Sequence, residues 1–201
     1  LGLLTACPNQ GAPPDLSLQG VSPQNPSVIQ GQSLSLTLTF TSQNGFQGQV
    51  GLQVTEGGQT PTWLSFSPTS ANLDVPKGGQ RTLNLNLQVS QNAPTGSRTL
   101  KLRATYGNRT TERDLTLTVT PPPDFTISLD PTSLTVQQGQ SGQTTLTLTP
   151  QHGFTGTVNL SLEDQNGNAP SGITLSPASV AVNGPDPVNQ ALTLSVDAGV
   201  A

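Results

Sequence analysis

The sequence is poor in several residue types on which catalytic sites depend. Of its 201 residues, 9% are charged and 3% are aromatic, and methionine is absent. His152 is the single histidine and Cys7 the single cysteine, so any catalytic dyad or triad based on histidine would have to use that one imidazole, and an internal disulfide is excluded. No apolar run approaches the ~20 residues of a membrane-spanning helix. This composition argues against an enzyme.

The residues that are abundant favour many short strands over long helices. Glycine (21 residues) and proline (18 residues) are frequent, and Thr, Ser, Gln and Asn fill the polar positions. The net charge of −4 is uneven: residues 15–123 hold seven basic and five acidic side chains, whereas residues 124–201 hold six acidic and no basic ones. An acidic protein of this kind lacks the density of Lys and Arg that phosphate contacts need, which argues against nucleic acid as a partner.

An internal repeat divides the chain. Gln43–Val50 (QNGFQGQV) returns as Gln151–Val158 (QHGFTGTV), and Gln30–Ser33 returns as Gln138–Ser141, both at an offset of 108 residues. Further downstream the offset drifts by one residue, which we interpret as loop insertions. Three prolines at 121–123 predict a stiff polyproline spacer between the copies. The predicted domains are therefore 15–120 and 124–201.

Each copy is predicted to be built of strands because its apolar residues alternate with polar ones. In Ser33–Phe40 and in Thr99–Ala104 every second residue is apolar, which gives a strand with one buried and one solvated face. The other predicted strands are 16–21, 28–29, 48–55, 64–66, 81–89 and 114–119. About seven short strands separated by Gly, Pro and Asn predict an all-β fold, an antiparallel β-sandwich, with a barrel as the alternative.

Several motifs resemble those of bacterial immunoglobulin-like repeat modules. They are Pro131–Ser141 (PTSLTVQQGQS), the Gly-Phe-x-Gly-x-Val turn that begins at Gly45 and at Gly153, and Ala93–Gly96 ahead of a Leu-rich strand. Such modules occur in secreted and surface proteins and beside extracellular peptidases and glycosidases. The resemblance implies two tandem immunoglobulin-like sandwiches and carries little information about activity.

The first residues resemble a bacterial export signal. Residues 1–6 are an apolar run, and Leu4-Thr5-Ala6-Cys7 resembles the lipobox of lipoproteins. By that resemblance, residues 1–6 are the remnant of a signal peptide, Cys7 becomes the lipid-modified N-terminus, and residues 7–14 are a flexible tether. The implied protein is exported and anchored to a membrane at the cell envelope or surface. The alternative is that Cys7 is a small buried hydrophobic residue.

The second copy is predicted to lack its last two strands. In the first copy the strand that ends at Val89 is followed by two more, and the sequence of the second copy stops short of their counterparts. Val158 and Leu160 should then be uncovered, whereas Phe46 and Phe154 are predicted to occupy equivalent buried positions. Truncation of a longer repeat protein and completion by strands from another chain both remain open.

The candidate site residues all have a structural alternative. His152 and its counterpart Asn44 are predicted turn residues, since both tolerate left-handed backbone angles. Residues 164–168 (DQNGN) superficially resemble a calcium loop but lack the Gly and Glu that an EF-hand needs, and Glu163 and Asp164 should be solvated, so an Asn-Gly turn is favoured. Trp63 is predicted to close the end of the sandwich, against a role in stacking on a sugar ring.

A basic cluster on the last hairpin of the first copy has two interpretations. Lys101, Arg103, Arg109 and Arg113 could meet an anionic envelope polymer, or they could discourage pairing at a sheet edge.

Three classes of function remain. The favoured one is a non-catalytic, lipid-anchored surface or periplasmic protein whose modules form a stalk or an assembly unit. The others are an adhesion module that binds a glycan or a protein, and the accessory domains of a larger extracellular hydrolase. We expect no cofactor, membrane attachment through the N-terminal lipid, and an envelope polymer or protein as any further partner.

Overall fold

The computed structural model of the chain describes residues 11–200. Within that range the protein is all-β and has fifteen strands. The chain divides between Pro121 and Pro122 into two compact units, called here unit 1 and unit 2. Between residues 11 and 200 there is no helix with the length and apolar character needed to cross a bilayer.

Unit 1 is a sandwich of two sheets. Its strands are β1 (Ser17–Ser22), β2 (Ser27–Ile29), β3 (Ser33–Ser42), β4 (Phe46–Thr55), β5 (Leu64–Ser67), β6 (Ser70–Val75), β7 (Gly79–Val89), β8 (Gly96–Tyr106) and β9 (Arg109–Thr120). One sheet has the order β1-β3-β7-β5 and the other the order β2-β9-β8-β4-β6. All pairs are antiparallel except β2 with β9. This is an immunoglobulin-like sandwich, as predicted, and not a barrel.

The core of unit 1 follows directly from the alternation in its sequence. Leu36, Leu38 and Phe40 of β3 point inward and are at most 1% exposed, while the Ser and Thr residues between them face outward. β7 pairs with β3 in full register, so Leu85 and Leu87 lie beside Leu36 and Leu34 in the same layer. Burying a Leu side chain stabilises a fold by about 1.5–3 kcal/mol, and this layer holds several.

The strand β6 was missed by the sequence prediction. Ser70–Val75 (SANLDV) does alternate, and Leu73 and Val75 are buried where β6 pairs with β4. The segment is short and follows directly on a Ser-Pro turn, so its alternation by itself is a weak signal for a strand. The same strand recurs in unit 2, where its sequence is SVAV.

Unit 2 repeats one sheet of unit 1 and part of the other. Its strands are β10 (Asp124–Asp130), β11 (Ser141–Gln151), β12 (Gly156–Asn159), β13 (Ile173–Ser176), β14 (Ser179–Val182) and β15 (Val188–Val196). The sheet β10-β11-β15-β13 has the same order as β1-β3-β7-β5, and β12 pairs with β14 as β4 pairs with β6. The repeat found in the sequence is therefore a structural repeat.

The repeat offset also changes by one residue within the first strand, where a bulge is the cause. Leu18 lies opposite Phe40, and its counterpart Ile127 lies opposite Leu148, an offset of 109 on the first strand. β1 has a bulge between Leu18 and Gly20, after which Val21 and Leu129 correspond at an offset of 108. One extra residue in a bulge shifts the numbering without changing which side chains face the core.

Within residues 122–200, unit 2 has no counterpart of β8 or β9. Two neighbouring strands lose their partners as a result. β4 runs for ten residues because it pairs with β6 and then with β8, whereas β12 ends at Asn159 after four. The counterpart of β2, residues 135–137, forms no strand, because β2 pairs only with β9.

The missing strands leave apolar side chains of β10 uncovered. Leu18 is 2% exposed in unit 1, but its counterpart Ile127 is 58% exposed; Val21 is 9% exposed and Leu129 is 40% exposed. In unit 1 the residues of β9 lie against β1, where Thr111 accepts a hydrogen bond from the amide of Leu18 at 2.9 Å. The cover of the first strand therefore comes from β9.

Two burial predictions for unit 2 were wrong. Val158 and Leu160 were both expected to be uncovered. Leu160 is half-buried, but Val158 stays buried at 8% exposure. Phe154 is half-buried, unlike Phe46, because Phe46 packs edge-on against Tyr106 of β8 and unit 2 has no such strand. Phe154 instead packs on Phe125 at a centroid distance of 4.9 Å, and both contact the cluster that holds Val158.

We predict that equivalent truncations in the two units differ strongly in cost. Leu18→Ala should lower the free energy of unfolding of unit 1 by about 2–5 kcal/mol, since it opens a cavity in a closed core. Ile127→Ala should change the stability of unit 2 by no more than about 0.5 kcal/mol, as expected for an exposed side chain.

Denaturant unfolding of the whole chain separates the two effects. Trp63 and Tyr106 are the only Trp and Tyr, and both lie in unit 1, so intrinsic fluorescence follows unit 1 while far-ultraviolet circular dichroism follows both units. Equal losses in the two variants would contradict the conclusion that β9 provides the cover.

Candidate functional site

A tyrosine clasp closes unit 1. The Tyr106 hydroxyl accepts a hydrogen bond from the amide of Leu16 at 3.1 Å and donates one to the carbonyl oxygen of the same residue at 3.0 Å. The ring lies edge-on to Phe46, with centroids 5.2 Å apart. This role of Tyr106 was not predicted from the sequence, where the position of the Tyr just before a Gly-Asn turn is the signal that points to it. Its polar tip serves the fold, since it bonds to both backbone groups of Leu16.

The turn that contains Asn44 is tied to the start of unit 1. The Asp15 carboxylate accepts hydrogen bonds from the Asn44 amide at 2.8 Å, the Ser42 hydroxyl at 2.9 Å and the Gln43 amide at 3.3 Å. The Asn44 side-chain amide donates to the Pro13 carbonyl oxygen at 3.0 Å. The hydrogen bond from the Asn44 amide is the main cause that lowers the pKa of Asp15 below its ordinary value.

His152 has the matching role in unit 2. Its Nδ1 lies 3.2 Å from the Pro122 carbonyl oxygen, and because a carbonyl only accepts, Nδ1 is the donor. Its backbone is left-handed with φ of 51°, as predicted; Asn44 does not share that angle, so this part of the prediction was wrong for unit 1. The side chain is exposed and holds the turn against the chain that enters β10.

The predicted basic cluster is a ladder of ion pairs. Lys101 lies 2.8 Å from Asp114 and 3.5 Å from Glu112, and Arg103 lies 2.6 Å from Glu112. Since these residues pair across β8 and β9, each base faces an acid in register. The hydrogen bond to Asp114 raises the pKa of Lys101, and the one from Arg103 lowers the pKa of Glu112.

The position of β8 corrects the interpretation of Lys101 and Arg103 as guards of a sheet edge. β8 lies between β9 and β4, so these two bases lie inside the sheet. Arg113 donates to the carbonyl oxygens of Leu18 at 3.0 Å and Gln19 at 2.6 Å, which ties β9 to β1. Arg109 is exposed at the tip of the hairpin. Three of the four basic side chains, Lys101, Arg103 and Arg113, therefore bond to neighbouring strands.

The loop at residues 164–168 is a turn, as predicted. The Asp164 carboxylate accepts the amides of Asn166 at 2.8 Å and Asn168 at 2.9 Å, and the latter is the main cause that lowers the pKa of Asp164. Gly167 has φ of 80°, which only glycine adopts readily. Among residues 11–200, no three His, Cys, Asp or Glu side chains come together in a way that could hold a metal ion.

Trp63 packs half-buried against the core of unit 1. Its indole Nε1–H donates to Glu56 at 3.2 Å, and Glu56 also forms an ion pair with Arg98 at 3.6 Å. The polar tip of Trp63 is thus bonded within the unit.

The described part of unit 2 also contains an open apolar groove, called here the unit 2 groove. It has a cavity volume of about 280 Å³ and is lined mostly by Ile127, Leu129, Leu134, Leu160, Leu162 and Leu175. Thr144 lines it too and donates its hydroxyl to the Pro131 carbonyl oxygen at 2.7 Å, so this buried polar group is satisfied. The groove lies on the side of unit 2 from which the counterparts of β8 and β9 are missing.

Cys7, the predicted lipidation site, lies outside the described residues.

No family model matches the chain, and no curated protein matches it by sequence. Among solved structures, it is similar to the crystal structure of titin domains Z1Z2 in complex with telethonin, with a TM-score of 0.38 and 13% identity over 91% of this chain and 80% of that one. Domains 5–6 of the S-layer protein SbsC give a TM-score of 0.34 and 16% identity, covering 94% and 88%. A protein of unknown function from Porphyromonas gingivalis W83 gives 0.32 and 13%, covering 92% and 84%. At such low scores these likenesses carry no argument about function.

We predict that Asp15 makes the stability of unit 1 depend on pH. Its pKa is lower in the folded unit than the value of about 3.9 expected for an unfolded chain, so its contribution is present above that value and is lost as the pH falls through the folded pKa. The stability difference between the parent and Asp15→Asn, followed by Trp63 fluorescence, should therefore shrink between about pH 5 and pH 2.

The matched control is Asp124→Asn, because Asp124 accepts only the amide of its neighbour Phe125. This variant should leave the unit 1 transition unchanged at every pH. A parent-to-Asp15→Asn difference that stays constant with pH would refute the role of the carboxylate.

We predict that His152 is replaceable by the residue found at its repeat position. His152→Asn should change stability by less than about 0.5 kcal/mol, because Asn tolerates the left-handed backbone and its amide is also a donor. His152→Val should cost more, since a β-branched residue is strained there. Thermal unfolding by circular dichroism compares the two, and an equal loss in both would argue against a turn role.

Proposed function

We propose that this chain is part of a non-catalytic, lipid-anchored protein of the cell surface or periplasm, and that its immunoglobulin-like units serve as a stalk or as structural assembly units. The observation that carries the proposal is the structural repeat: the same strand order and register occur twice in succession. Tandem units of one fold extend a chain by repetition, and in such arrays stability is built up from unit to unit.

The use of the polar side chains supports a structural function. Tyr106, Asp15 and His152 hold turns and first strands in place, and Lys101 and Glu112 bind neighbouring strands to each other. The exposed imidazole of His152, the single histidine of the sequence, likewise donates to a carbonyl of its own unit.

The sequence before unit 1 supports an anchor. The lipobox-like Leu4–Cys7 is followed by Pro8 to Pro14, and the first described contacts of the fold begin at Pro13 and Asp15. The five residues between Cys7 and Pro13 reach up to ~18 Å in extended form, so unit 1 would stand clear of a bilayer. Two or more acyl chains on Cys7 would hold the protein there far more firmly than one.

We predict that Cys7 decides the location of the protein. In a bacterial host, with a complete export signal placed ahead of Leu1, the parent chain should fractionate with membranes and incorporate labelled fatty acid. Cys7→Ser should move to the soluble fraction and lose the label, because the thiol is the site of acylation.

Asn9→Ser serves as the control, since it introduces the same residue two positions away and should behave as the parent does. A Cys7→Ser variant that stays with the membranes and keeps the label would overturn the anchoring proposal.

A further inference from the structure

The unit 2 groove has a counterpart in unit 1 that is completely filled. There, the hairpin of β8 and β9 places Leu102 and Leu117 against the opposite sheet, and each is at most 2% exposed. Leu18, covered by that hairpin, corresponds to Ile127 in the groove. The repeat therefore shows directly what kind of element occupies this position: a two-stranded β-hairpin with alternating Leu residues.

The backbone beside the groove is prepared for strand pairing. On one side of this segment the two units make the same hydrogen bond. The Leu52 amide donates to the Thr69 carbonyl oxygen at 2.7 Å, and the Leu160 amide donates to the Ala178 carbonyl oxygen at 2.9 Å. On the other side, residues 51–55 pair with β8, while their counterparts 159–163 have no strand partner in the described range. Because successive amides along a strand point to opposite sides, Ser161 presents its N–H to this open edge.

The charges of unit 2 complement those of the hairpin. Residues 96–120 hold five basic and two acidic side chains, whereas residues 122–201 hold six acidic and no basic ones. In unit 1, Arg98 pairs with Glu56 at 3.6 Å and Lys101 lies opposite Thr55.

The counterparts of Glu56 and Thr55 are Asp164 and Glu163. Each acid thus lies at a position that faces a basic residue of β8 in unit 1. An occupant with the charge pattern of β8 would therefore gain two cross-strand pairs.

The chain leaves β15 by the turn that leads into the hairpin in unit 1. In unit 1 the amide of Ser90 donates to the carbonyl oxygen of Trp63 at 2.9 Å, and the amide of Ala93 donates to the carbonyl oxygen of Ser90 at 3.1 Å. In unit 2 the amide of Asp197 donates to Gly172 at 2.9 Å and that of Val200 to Asp197 at 3.4 Å. The residues after the strand match at an offset of 107 and the acceptors Trp63 and Gly172 at an offset of 109, so the same turn follows the strand in both units.

We propose that the unit 2 groove is the seat of a basic, Leu-alternating β-hairpin of the β8–β9 type, delivered in cis through the turn at residues 197–200. The hairpin adds a strand to the edge at residues 159–163, covers Ile127 and Leu160, and pairs its bases with Glu163 and Asp164. This proposal concerns an interaction surface and holds whether or not Cys7 is an anchor.

The test is to supply such a hairpin. A copy of residues 94–120 is appended after Val200 of the full chain, so that it continues from the turn as β8 does from Ala93. Binding of a hydrophobic dye that fluoresces in apolar grooves should fall several-fold. Amide exchange at Ser161 and Glu163, the counterparts of Gln53 and Thr55, should slow about tenfold or more, because paired amides are protected.

Two matched extensions make the result specific. An extension with Leu102→Ser and Leu117→Ser in the copy should leave the dye binding and the exchange as in the parent chain. One with Arg98→Glu and Lys101→Glu in the copy should give a weaker effect that recovers at high salt, since the exposed charges are then screened.

Three results would overturn the proposal. The first is a Leu-bearing extension that changes neither measurement, and the second is a Ser-bearing extension that changes both equally. The third is sedimentation of the parent chain as a dimer that protects Ser161 and excludes the dye, since the occupant would then be a second copy.

Discussion

Burial of a β-sheet face requires a second layer, and in unit 1 the decisive part of that layer is the hairpin of β8 and β9. It covers the first strand through Thr111 and Arg113, gives β4 and β2 their pairing partners, and carries the Tyr106 clasp. Hydrogen bonds between strands hold one sheet together but do not bury its apolar face. The closed core depends on this hairpin, because the hairpin belongs to one sheet and also covers β1 of the other.

Unit 2 shows which features depend on the hairpin and which do not. The sheet β10-β11-β15-β13 keeps the register of its counterpart, because its hydrogen bonds are made within the sheet. The segments that would contact a hairpin differ: Ile127 is exposed, β12 ends early, and Leu134 and Val136 lie half-buried over Gly142. Thr144 replaces the buried Leu36, which further thins this core.

The few charged residues act locally in both units. Asp15 and Asp164 each collect amides of a nearby turn, and the ladder of Lys101, Arg103, Glu112 and Asp114 spans two neighbouring strands. All of these groups are at the surface, where an ion pair adds little to stability. Their contribution is to specify register and turn geometry in a fold whose energy comes from alternating Leu and Val.

The sequence by itself determined the all-β class, the two copies and most of the strands, because alternation with a period of two and turn-forming residues are local signals. It also predicted the turn roles of His152 and Asp164 from neighbouring glycines. Only the tertiary structure decided that Phe154 is half-buried, that Lys101 and Arg103 lie inside a sheet, and that the Tyr106 hydroxyl binds Leu16. Each of these depends on which strands lie side by side, and Tyr106 and Leu16 are 90 residues apart. Local patterns cannot encode that choice, since a strand with one apolar face fits several neighbours equally well until the whole sandwich closes.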